Sequence, residues 1–245
     1  MFSVFKKEVT SFFSSLIGYI AIIVFLLATG LFLWVFPGSD YNVLSYGYAT
    51  LEGLFDLAPW VFMFLIPAIT MRSFSEEIKS GTLEILTTRP LSEIQIILGK
   101  YFAAMFLVAF SLLPTVVYYI TVYQLGIVKG NIDSGVVMGS YLGLLLLAGS
   151  FAAIGIFASS LTGNQIVAFM LAVFLCFFCY YSFAALSQLG LFVGRIDDVI
   201  QSIGIDTHYL SIRRGVIDTR DIVYFLSFIG IFVLFTKTSL ESRKW

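Results

Sequence analysis

The sequence predicts an all-α, polytopic membrane protein with six transmembrane helices in one transmembrane domain, residues 1–245. Three observations predict it. The chain is 59% hydrophobic and only 12% charged, about half the charge of a soluble domain, with a mean hydropathy of +0.97. Its apolar runs have the length that crosses a bilayer, about 20 residues. Its charges gather in short strips, above all the eight between Arg72 and Lys100 (Arg72, Glu76, Glu77, Lys79, Glu84, Arg89, Glu93, Lys100). A net charge of −1 makes no case for a nucleic-acid partner.

The elements follow in order. Phe2, Phe5, Val9, Phe12 and Leu16 recur at helical spacing, with Lys6, Lys7, Thr10, Ser11 and Ser14 elsewhere. That pattern predicts an interfacial helix over residues 1–15. Leu16–Phe36 is 21 uncharged residues, too long for the core of a signal peptide and followed by no small-residue cleavage site, so it reads as a retained first span. Phe36-Pro37-Gly38 ends it. The second span is Leu57–Met71, extended in both directions, and the third Ile97–Tyr123. Pro59, Pro67 and Pro114 are expected to kink these two. No charge occurs from Ser134 to Gly194, too long for one crossing. "LTGNQ" splits this run into Val136–Leu161 and Gln165–Leu189, and Ile222–Phe235 is the sixth span. In the fourth, small residues stand four apart, Gly139 with Gly143, Gly149 with Ala153 and Gly155 with Ser159, a spacing that lets helices approach closely. In the fifth, Tyr180 and Tyr181 need hydrogen-bond partners. Cys176 and Cys179 have no His or acidic neighbours and read as buried thiols; no metal site is expected.

The loop of residues 194–221 carries an apolar stripe of Ile205, Tyr209, Ile212 and Val216. It predicts a helix over Thr207–Gly215 lying on, or re-entering, the membrane between spans five and six. Gly215 ends it. Arg213 and Arg214 are expected at lipid head groups or against acidic residues of a partner. Asp218 caps the sixth span, with Asp221 in its first turn. His208 is expected at a surface or interface. Nine Lys and Arg lie at the termini and the Arg72–Lys100 strip, five in the opposite loops, and none in Gly38–Asp56. Both termini are therefore expected in the cytoplasm.

The strip at residues 72–92 is punctuated. Ser80-Gly81 is a break. Ser92 and Gln95 form a capping box, with Leu91 and Ile96 as its hydrophobic staple, and Pro90 sets a boundary at Arg89. Between them Thr82–Thr88 is a short helix with Leu83 and Leu86 on one face, too short to stand alone in water. It needs packing against its own bundle or a partner. "FSEEIKSGTLEILTTRPLSEIQIILGKYFA" (Phe74–Ala103) resembles the segment between spans two and three of type-2 ABC exporter permeases. The residues that match are Glu76, Glu77, Gly81, Thr82, Leu83, Glu84, Pro90, Leu91, Ser92, Gly99, Lys100 and Tyr101. "HYLSIRRGVIDTRDIVYFLSFIGIF" resembles the gliding-motility branch of that family, from Bacteroidetes. The resemblance implies that Glu76, Glu77, Gly81, Thr82, Leu83, Glu84 and Leu86 form a coupling segment on a separate ATP-binding subunit. It implies a second permease subunit, a bacterial cytoplasmic (inner) membrane, and an outer-gate helix carrying Tyr209, Ile212, Arg213, Arg214 and Gly215.

The chain holds no G-x-x-x-x-G-K-[ST] loop, no H-E-x-x-H and no G-x-S-x-G. It is thus expected to be non-catalytic and to hold no cofactor, with ATP and Mg on a partner chain. A secondary transporter usually needs ionisable groups within the membrane. Five spans have none in their cores, and Asp56 stands at the edge of the other. The leading reading is the permease of an exporter driven by ATP hydrolysis on a separate subunit; the alternatives are a membrane scaffold or mechanochemical subunit of a gliding machine and, behind both, a secondary transporter.

Overall fold

The computed structural model describes residues 1–45, 47, 49–82, 92–126, 128–188 and 197–242. Every regular element among them is helical, and six helices are long and apolar enough to cross a membrane. The N-terminal helix, Phe2–Ser14, precedes a first span of Leu16–Gly30 that winds into a π-turn, Leu31–Val35, before Pro37. The second span is Glu52–Thr70 and continues, after a turn, into a short arm helix, Ser75–Lys79. The third is Glu93–Leu112, tightened at Leu113–Thr115 around Pro114 and continued as Val116–Leu125. The fourth is Ser134–Leu161 and the fifth Gln165–Phe177, with a π-turn at Phe178–Ser182 and a last turn at Phe183–Ser187. A short helix, Asp197–Gln201, and a loop helix, Ile205–Arg213, precede the sixth span, Thr219–Ser242.

The fourth span is the axis. It packs against spans two, three, five, six and the loop helix. In its most apolar stretch 78% is buried, against 17% in the sixth span and 22% in the fifth. Apolar helices gain nothing from water exclusion inside lipid, so close approach decides their association. Glycines along the fourth span provide it. A Cβ at Gly139 would lie 3.4 Å from Gly215 Cα, at Gly143 3.1 Å from Ile212 Cγ2, and at Gly149 2.6 Å from the Tyr101 hydroxyl. At Gly155 a Cβ would collide with Thr70 Oγ1. Glycines on different sides of the fourth span thus seat the loop helix at one end and spans two, three and six further along.

The second span runs as one helix through Pro59 and Pro67, without the break that prolines often bring. Phe25 of the first span stacks on Phe62 of the second, centroids 5.1 Å apart. Six crossings put both termini on one side, here called the terminal face. The loop helix lies at the opposite, far face.

Candidate functional site

At the terminal face the N-terminal helix crosses the base of the third span. Gly99 makes the crossing close: a Cβ there would stand 2.9 Å from Val4 Cβ and 3.1 Å from the Met1 carbonyl. The next residue, Lys100, is 3% exposed. Its Nζ donates to Glu8 Oε1 at 2.8 Å, to Glu77 Oε1 at 3.0 Å and to the Ser73 carbonyl at 2.6 Å. The Phe74 ring covers it, 5.0 Å from Nζ to centroid. Lys7 also reaches Glu77 Oε1, at 3.5 Å, whereas Glu77 Oε2 is buried without a hydrogen-bond partner. A polar cleft of about 310 Å³ opens here between the N-terminal helix and the end of the second span.

The arm helix carries Glu76 and Glu77. Glu76 pairs with Arg72 one turn before it at 3.0 Å, both in solvent. Ile78 faces the turn between spans four and five, where a Cβ on Gly163 would meet its Cγ2 at 3.3 Å. The arm ends in a Schellman motif: the Thr82 amide donates to the Glu77 carbonyl at 3.0 Å and the Gly81 amide to the Ile78 carbonyl at 3.3 Å. Gly81 takes φ +69°, the left-handed turn that glycine adopts without strain. The third span opens on the capping box: the Gln95 amide donates to Ser92 Oγ at 3.3 Å and the Ser92 amide to Gln95 Oε1 at 3.2 Å. Residues 83–91, including Leu83, Glu84, Leu86 and the staple residue Leu91, lie outside the described residues.

At the far face the loop helix buries Ile205, Tyr209 and Ile212. These residues face the bundle, while Val216, the last of the apolar stripe, is exposed beyond the helix end. Pro59 has no amide hydrogen, so the Phe55 carbonyl one turn earlier loses its helical donor. The Tyr209 hydroxyl donates to that carbonyl at 2.6 Å. Arg213 pairs with Asp56 of this same chain, where a head group or a partner's acid was expected; Arg214 is exposed. Ser140 Oγ of the fourth span donates to the Arg213 carbonyl at 3.0 Å, satisfying a helix-end acceptor. Gly215, at φ +85°, turns the chain away. Asp206 faces Tyr180. Burial raises the Asp206 carboxyl above its ordinary value, with the Asp56 charge adding; the Tyr180 hydrogen bond and Arg213 oppose the rise.

His208, expected at a surface or interface, is part of a clamp. Its Nδ1 lies 2.6 Å from Asp221 Oδ1 and its Nε2 2.9 Å from the Ser202 carbonyl. The ring thus bridges the start of the sixth span and the loop before the loop helix. The ring stacks on Tyr224 at 3.8 Å, and the Tyr224 hydroxyl donates to the Ile203 carbonyl at 2.6 Å. Asp218 caps the sixth span through the Arg220 amide at 2.9 Å. Tyr180 is buried and Tyr181 exposed. Cys176 and Cys179 are free thiols.

Sequence reasoning missed the Lys100 cluster, the Tyr209–Phe55 bond and the His208–Asp221 clamp. The one available signal was Pro59, since a proline inside a membrane helix announces an orphaned carbonyl one turn earlier.

Six apolar helices, with spans two, three, five and six packed on a buried fourth, and a polar cluster at each face, define a multi-pass membrane protein. The chain belongs to the ABC-2 transporter family: a family model described as "ABC-2 family transporter protein" matches residues 36–204, more than half of its length. It is accordingly the membrane permease component of an ABC transporter, in a family whose permeases are non-catalytic and work with a separate ATP-binding subunit. No curated protein matches the chain.

Proposed function

We propose that the chain is one permease of an ATP-driven exporter in a bacterial cytoplasmic (inner) membrane, with both termini in the cytoplasm. A second permease, identical or homologous, completes the path. A separate ATPase holding ATP and Mg docks on the 72–92 segment, with Glu76, Glu77, Gly81, Thr82, Leu83, Glu84 and Leu86 as the coupling residues. The observation that supports this is the anchoring of both flanks of residues 83–91. A Schellman motif fixes the chain entering the segment, and a capping box fixes it leaving. A segment tethered at both ends against a bundle transmits a push that a slack connector would absorb. The charge-poor membrane interior favours apolar, large or amphiphilic cargo.

The test is co-purification. The tagged wild-type chain is expected to bring down an ATP-binding subunit, and Glu84→Lys to stay in the membrane while losing that subunit or its stimulation. Full coupling in both Glu84→Lys and Leu83→Asp refutes the docking assignment. The resemblance of His208–Phe232 to the gliding-motility branch favours a second reading, in which the same ATP cycle serves a surface machine. Cells carrying Glu84→Lys then lose gliding while the efflux of amphiphilic dyes is unchanged.

A further inference from the structure

We propose that Lys100 is the positioning residue through which movement of the 72–92 segment reaches the membrane helices. This deepens the ATP-coupled reading above and rests on it. An ammonium group has three hydrogens and no other polar capacity. Here each goes to a different place: the N-terminal helix through Glu8, the turn that follows the second span through the Ser73 carbonyl, and the arm helix through Glu77. The lysine itself is rooted in the third span, so one buried cation joins four segments. Apolar packing could hold four segments together, but apolar surfaces slide. Three charge-assisted bonds in a poorly hydrated place resist displacement in separate directions. A shift of the arm helix must therefore carry Lys100, and with it the third span and the N-terminal helix, or break a buried charged bond. The Arg72–Glu76 pair cannot do this, because both partners lie in solvent within one turn of each other. Gly99 completes the device, since its missing side chain brings the N-terminal helix near enough for Glu8 to reach Nζ.

An anchor and a transmitter differ in one respect. Buried ion pairs can often be replaced by neutral groups with no loss of stability, whereas removing one partner alone is strongly destabilising. Lys100→Met strips Glu8 of its cation and leaves Glu77 only the exposed Lys7 at 3.5 Å, and is expected to lower the Tm. The triple variant Glu8→Gln, Glu77→Gln, Lys100→Met is expected to recover it. Spin labels at Thr10→Cys and Lys79→Cys, both exposed, in a background lacking Cys176 and Cys179, report the distance between the N-terminal and arm helices. Wild type should show one narrow distribution. The triple variant should show a broad one despite its recovered Tm, and should lose ATP-dependent stimulation of the co-purified ATPase by about tenfold, a size usual for coupling between sites. A triple variant with wild-type Tm, a narrow distribution and full stimulation makes Lys100 a plain anchor and overturns the proposal. If no ATPase accompanies even the wild-type chain, the ATP-coupled reading fails by itself. The label distance then decides alone whether Lys100 links the segments, and a narrow distribution in the triple variant overturns that link.

Discussion

Pro59 and Tyr209 stand 150 positions apart in the chain, yet they share one carbonyl. Removing the tyrosine hydroxyl leaves the Phe55 oxygen buried and unpaired, a loss of about 1–3 kcal/mol. Tyr209→Phe is therefore expected to lower the unfolding temperature in detergent. Pro59→Ala restores the amide that the helix lacks at that position. In that background Tyr209→Phe should cost markedly less, and equal costs in both backgrounds would break the assignment. Asp206 makes a prediction with a sign. Its folded carboxyl is raised above the ordinary 3.8, chiefly by burial. The folded state then holds this proton more tightly than the unfolded state does. The resulting stabilisation is complete below the ordinary value and is lost as pH rises through the raised one. Asp206→Asn should flatten the fall in Tm across that window. An unchanged slope in Asp206→Asn would place the titration elsewhere.

At the scale of the element, the arm and loop helices depend on backbone positions that only glycine fits. A Cβ at Gly81 would touch nothing, so Gly81→Ala costs only the strain of a left-handed residue, about 1–2 kcal/mol. Amide exchange over Ser75–Lys79 should quicken while membrane insertion stays normal. Gly143→Leu differs in kind. It should drive Ile212 off the fourth span and lower the Tm, and Tyr209→Phe should then add little. These elements also show what could be read in advance. The Ser92–Gln95 box and the Ser80-Gly81 break were legible because their bonds join residues three to five positions apart. The Gly139–Gly143 stripe was legible as a packing face, but the loop helix it receives was not, because spacing does not say what comes to lie on it. Lys100 read as one more charge of the terminal strip, its partners Glu77 and Glu8 being 23 and 92 residues away. Asp221 read as a first-turn acid of the sixth span, and the clamp to His208 needed the fold.

At the scale of the whole molecule, the two faces differ in charge. The third span runs 33 residues, roughly 50 Å at 1.5 Å per residue. That exceeds a hydrocarbon core of about 30 Å, so both its ends stand at the membrane's edges. Lys7, Arg72 and Lys100 line one cleft at the start of this span, with Lys6 beside Lys7 on the N-terminal helix and Lys79 on the arm helix. On the far side, residues 38–56 contain no Lys or Arg and the next loop only Lys129. Short loops rich in Lys and Arg stay in the cytoplasm. The last far loop does carry Arg195, Arg213, Arg214 and Arg220, but Asp56 pairs with Arg213 and the same loop holds five Asp, against nine Lys and Arg on the terminal side. The terminal face is therefore expected inside. In a background of Cys176→Ala and Cys179→Ala, a membrane-impermeant maleimide applied to intact cells should label Ser39→Cys and Lys129→Cys. It should reach Ser3→Cys and Ser242→Cys only after permeabilisation. Labelling of Ser3→Cys and Ser242→Cys in intact cells would invert the molecule and put the 72–92 segment beyond the reach of a cytoplasmic ATPase. Labelling of just one of those two would mean an odd number of crossings, which six spans forbid.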